Sequence, residues 1–67
     1  MGIFINDRAW NLKQAKARKE YGDWRVKKAN EASRRNDMTA YKDHMNRSKS
    51  YYYEADAYMA AARKSTK

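Results

Sequence analysis

Sixty-seven residues with no cysteine and one histidine make a single small domain that has neither disulfides nor sulfur-ligated zinc to hold it. A chain this short buries only roughly 60% of the surface its unfolded form exposes, so self-association is the staple that remains. Sixteen Lys and Arg against eight Asp and Glu leave a formal charge of +8, which attracts nucleic acid, an anionic membrane face or an acidic protein surface.

The chain opens on MGIFIN. That apolar run is far too short for a signal-peptide core and lacks a basic start, and Asn6 stands where a myristoylation pattern needs Ser or Thr. No stretch approaches the roughly 18 apolar residues that span a bilayer, so a soluble cytoplasmic protein is expected. Residues 3–5 read as a lead-in to a helix. Asn6 can cap that helix, with Ile5 just before the cap and Trp10 four residues after it, the spacing of a hydrophobic staple.

Proline is absent, the only glycines are Gly2 and Gly22, and Ala, Lys, Arg, Glu, Gln and Met abound. These residues lose little side-chain freedom in a helix, so the chain reads as all-α. The first helix spans about residues 7–35 and carries two stripes. Trp10, Ala17, Tyr21 and Trp24 recur at helical spacing, and so do Ile5, Leu12, Ala15, Gly22, Val26 and Ala29, about a third of a turn or more away. Either the helix is continuous and packs on two sides, or it breaks at Gly22 with Asp23 starting a third helix.

This helix also holds most of the positive charge. Residues 1–35 contain ten basic and four acidic side chains, and residues 36–67 contain six and four. The candidate phosphate-binding residues are Lys13, Lys16, Arg18, Lys19, Arg25, Lys27, Lys28, Arg34 and Arg35. Lys13, Lys16 and Lys27 share a broad face with Glu20, while Arg18 and Arg25 lie on the far side. Charge that wraps the cylinder argues against one recognition helix in a major groove. It fits a protein that tracks the backbone or reads RNA shape, drawing affinity from released counterions. The same wrapping disfavours an interfacial membrane helix, which needs a single polar face.

The best turn lies at about residues 35–37: Asn36 tolerates a left-handed backbone and Asp37 can cap the helix that follows, about residues 38–64. In that second helix Met38, Tyr41, Met45, Ser48, Tyr52, Ala55, Met59 and Ala62 step by three and four, a seam of the coiled-coil or bundle kind. The three consecutive tyrosines then take separate roles. Tyr52 lies in the seam. Tyr51, with Tyr58 and His44, widens the apolar face to roughly 160°, more than one neighbouring helix covers. Tyr53 points among Lys42, Lys49 and Lys64, an aromatic-basic face suited to stacking on bases.

No catalytic constellation emerges. The one histidine has no cysteine to activate, and its place beside the seam suits a half-buried, hydrogen-bonded side chain. Glu54 and Asp56 are two apart and diverge on a helix, and no Gly-rich phosphate loop exists. A 34-residue repeat also fails, because the chain cannot hold two units. The expected protein is an all-α antiparallel helical hairpin that pairs into a homodimeric four-helix bundle. It is expected to have no catalytic site, metal, cofactor or small-molecule substrate. Trp10, Tyr21, Trp24, Met38, Tyr41, Met45, Tyr51, Tyr52, Tyr58 and Met59 are the expected core or self-association residues. Nucleic acid is the expected partner, held through its phosphate backbone. The alternative is a protein–protein inhibitor or adaptor of the phage accessory kind, covering an acidic or nucleic-acid-binding surface of a larger enzyme.

Overall fold

The structure, a computed structural model, describes residues 5–67; Ile3 and Phe4 of the lead-in lie outside the described residues. Two α-helices, α1 (Arg8–Arg34) and α2 (Met38–Lys64), each of 27 residues, pack against each other as a hairpin. No strand occurs among the described residues.

The turn is built from local hydrogen bonds. Asn36 takes φ 59, the left-handed conformation that a short polar side chain tolerates. This lets Asn36 N–H reach the Ser33 carbonyl at 3.0 Å and Asp37 N–H reach the Ala32 carbonyl at 2.9 Å, which satisfies the last carbonyls of α1. Asp37 then caps α2 by accepting the Ala40 N–H at 3.1 Å.

The other helix start differs from expectation. Asp7, not Asn6, caps α1, accepting the Trp10 N–H at 3.0 Å. With the cap moved by one residue the Ile5–Trp10 staple lapses, and Ile5 is exposed. Asn6 is held instead by the far end of the chain: its Nδ2 donates to Thr66 Oγ1 at 3.0 Å, and its Oδ1 accepts the Thr66 N–H at 2.9 Å. Arg8 N–H donates to the Lys67 carbonyl (2.9 Å), and the Arg8 guanidinium donates to the Ser65 carbonyl (3.2 Å). Beneath this clasp lies Asn11, fully buried, whose Nδ2 donates to the Ile5 carbonyl (2.8 Å) and to Ser65 Oγ (3.0 Å).

Helix α1 runs unbroken through Gly22, so the three-helix alternative is excluded, and Asp23 caps nothing. What Gly22 provides is room. A Cβ at that position would lie 2.6 Å from Tyr52 Cε1 and 2.9 Å from Cδ1, so the Tyr52 ring rests directly on the α1 backbone. From there its hydroxyl donates to Asp23 Oδ1 at 2.5 Å.

Of the two stripes on α1, the small-residue one faces α2. Ala15, Gly22, Ala29 and Ala32 are buried, and Ala55, Ala62 and Ser48 are buried opposite them. Ser48 satisfies its hydroxyl on the Met45 carbonyl at 2.8 Å. No large apolar side chain is fully buried among the described residues. Met38 and Met59, placed in the seam by spacing, are exposed at its ends, while Tyr41, Met45 and Tyr52 are half-buried. The molecule measures 48 × 20 × 11 Å, so its thickness is about one helix diameter and both flanks are open.

Candidate functional site

One flank carries a ladder of rings and cations. At the clasped end Trp10 meets Tyr58 edge-on, with centroids 5.8 Å apart and planes at 65°. The Arg18 guanidinium lies 4.5 Å from the Tyr58 centroid, and it donates to Glu54 Oε1 (3.0 Å) and Gln14 Oε1 (2.9 Å). Further along, Tyr21 and Tyr51 pack at 5.5 Å with a 39° tilt. Next comes Trp24, with the Arg25 guanidinium 5.0 Å and the Lys28 ammonium 5.6 Å from its ring centroid. Arg25 Nη1 lies 2.9 Å from His44 Nδ1. A guanidinium can only donate, so Nδ1 is the acceptor in this contact. Lys28 is also paired with Glu31 at 3.5 Å.

The nine cations singled out from the sequence therefore divide into two sets. Arg18, Arg25 and Lys28 are half-buried and held within this ladder. Lys13, Lys16, Lys19, Lys27, Arg34 and Arg35 are exposed on the outer surface of α1 and its C-terminus. Six of the eight acidic side chains have a partner within the hairpin, and all but Glu31 stay exposed on its surface. Glu54, Glu31 and Asp43 form ion pairs, Asp7 and Asp37 cap helices, and Asp23 accepts from Tyr52, which leaves Glu20 and Asp56. Three of the sixteen Lys and Arg are matched by an ion pair among the described residues. The other thirteen Lys and Arg make no ion pair among the described residues.

On α2, Tyr53 is 78% exposed, and Lys42, Lys49 and Lys64 are exposed on the same outer face. The Tyr52 phenol is held above its ordinary ionisation range, first by its bond to Asp23, then by partial burial and by the carboxylate charge. On the flank opposite the ladder, Leu12, Ala15, Tyr52, Ala55 and Met59 line an open groove of about 490 Å³ edged by Lys16, Lys19 and Asp56.

Sequence spacing sorted residues by helix face but did not pair them across the hairpin. Glu54 as the anchor of Arg18, and Tyr51 as the partner of Tyr21, were both missed. The signal was available, because each pair is placed symmetrically about Asn36, as an antiparallel hairpin turning there requires. Glu20 beside the aromatic flank carried no such mark.

Among the described residues no helix is long and apolar enough to cross a membrane, and no group of three or more His, Asp or Glu could hold a metal ion. Comparison with protein-family models, with curated proteins and with solved structures finds no match to this chain.

Proposed function

We propose that this hairpin is a non-catalytic binding module for a polyanion, and that its partner is nucleic acid held through the phosphate backbone. The observation that carries this reading is the row of unpaired cations on α1. Lys13, Lys16, Lys19 and Lys27 stand exposed along α1 without an ion pair among the described residues. Their spread along more than half the helix suits a partner with regularly repeated charge, which a single acidic group is not.

The reading makes the outer lysines separable from the fold. Replacing Lys13, Lys16, Lys19 and Lys27 by Gln leaves helicity unchanged by circular dichroism. It weakens binding to a labelled oligonucleotide and lowers the slope of log affinity against log salt by about one for each lost phosphate contact. Fluorescence anisotropy at about 50 and 200 mM salt, where a protein with several phosphate contacts loses orders of magnitude in affinity, reads both quantities. Unchanged affinity and slope in the fourfold variant would sink the electrostatic reading, and the acidic protein surface would become the better partner.

A second copy of the chain belongs to the same reading. The groove around Leu12 and Met59, 42% and 39% exposed, offers apolar area that one hairpin leaves uncovered. Lys16 and Lys19 on one lip face Asp56 on the other, so two-fold pairing there sets opposite charges together. A homodimeric four-helix bundle formed through this groove draws Lys16 and Lys19 to its rim, leaves Lys13 and Lys27 to face a phosphate backbone, and keeps the ring ladder free on its outside. Sedimentation of the anisotropy samples reads the assembly directly.

A further inference from the structure

The ring ladder has a gap in it. Between the Tyr21–Tyr51 pair and Trp24 lies an open cleft of about 450 Å³ lined by Glu20, Tyr21, Trp24 and Tyr51. Its volume falls in the roughly 300–1,000 Å³ range of small-ligand sites. Three of its four walls are aromatic, and Tyr21 is 57% and Trp24 49% exposed. Rings so open add little to a hairpin core made of alanine, and the Tyr21–Tyr51 contact and the cations on Trp24 leave their cleft-facing surface uncovered.

We infer that this cleft is a base-stacking subsite for single-stranded nucleic acid. The inference rests on the polyanion reading above and adds to it a place where a base, as opposed to a phosphate, is recognised. Tyr21 and the side of Trp24 that lines the cleft, away from the Arg25 and Lys28 contacts, supply flat apolar surface for an unpaired base, an interaction that tolerates any sequence. Cations lie beside the cleft, next to Trp24, within reach of a bound strand's phosphates. Arg25 and Lys28 sit within 5.0 and 5.6 Å of the Trp24 centroid, and Lys27 is exposed one residue away. Glu20 is the one carboxylate on the cleft, and a carboxylate accepts from the exocyclic amino group of a base. A duplex keeps its bases paired and stacked on each other, so it cannot fill the cleft without opening.

Charge decides between this occupant and a second copy of the chain. Two-fold contact through the ladder would bring Arg25, Lys27 and Lys28 of each +8 chain against their counterparts, with Glu20 and the already paired Glu31 as the nearby acids. Like charges across a closing interface oppose it. A nucleic-acid strand brings the opposite sign.

The test uses three probes on the full chain: a labelled single-stranded RNA of mixed sequence, the same RNA as a duplex, and heparin, which has the charge without the bases. Trp24→Ala is expected to weaken single-strand binding about 5- to 150-fold, the worth of one stacked base. It is expected to leave heparin and duplex affinities unchanged, and Trp24→Phe recovers part of the loss. In a Trp10→Phe background, Trp24 emission is quenched by the single strand and not by heparin. Equal losses for RNA and heparin, or no loss for either, overturn the inference while heparin binding by the parent chain upholds the polyanion reading. A parent chain that binds none of the three probes overturns both. A dimer that Trp24→Ala converts to monomer assigns the cleft to a second copy and likewise overturns it.

Discussion

At Gly22 two helix rules oppose each other. In an exposed helix interior, Gly to Ala gains about 1 kcal/mol of propensity. Here the new methyl would enter the Tyr52 ring at 2.6 Å, and the ring cannot swing aside without giving up its bond to Asp23. Overpacking of this kind costs about 1–3 kcal/mol, so the contact wins. Gly22→Ala is therefore expected to lower stability by a net amount of about 1 kcal/mol in urea denaturation. In a Tyr52→Ala background the same change is expected to raise stability by about 1 kcal/mol. Stabilisation in both backgrounds would show that the ring does not depend on the missing Cβ. The hydroxyl has its own signature. Its ionisation is raised in the folded state, so the bond to Asp23 adds stability below the unfolded phenol's value of about 10 and loses it as pH rises through the folded value. Urea midpoints of the parent and Tyr52→Phe should differ at about pH 8 and converge above about pH 10. A gap that persists at high pH would place the effect in ring packing.

Between the helices, closeness of approach takes the place of bulk. The buried layer is Ala15, Ala29, Ala32, Ala55 and Ala62 with Gly22 and Ser48, so the larger side chains flank the interface. Ala29, fully buried, has no space to grow, and Ala29→Leu should cost about 1–3 kcal/mol by holding the helices apart. Thermal melts of that variant beside Leu12→Ala, which trims a half-open side chain, would separate the two kinds of site. An Ala29→Leu protein as stable as its parent would mean that the helices are not in close contact there. The hairpin and its turn were legible because Asn36 and Asp37 are local signals, and the seam of α2 has an unbroken period. The division of α1 was not legible. Its aromatic stripe has the greater hydrophobic weight and reads as core, yet the small-residue stripe faces α2, because alanine and glycine opposite Tyr52 and Ser48 let the helices come close. A scale that ranks side chains by apolar area cannot register that advantage. The α1 cap was misplaced by one residue for a related reason. Asn6 and Asp7 cap about equally well, and Asn6 was claimed by Thr66, some sixty residues away in sequence.

The whole molecule is a thin plate, and its two flanks carry different side chains. Composition gave the sign of its charge, and the structure adds where the excess goes, onto the outer surface of α1 and one flank. The lysine and Trp24 variants bear on different parts of that arrangement, since in the proposed reading charge alone attracts heparin and only the cleft distinguishes a base. The clasp at the end opposite the turn has a mechanical consequence. Asn6 and Thr66 are bonded neighbours, and Arg8 is bonded to Lys67. Tension applied between the two ends thus pulls across the hairpin and not along it. The clasp gives first, then the Trp10–Tyr58 layer, then Arg18–Glu54, then Tyr21–Tyr51, each carrying the load alone. The hairpin opens like a zipper, at low force and in sequence order, and Asn36 is the last residue to feel the pull.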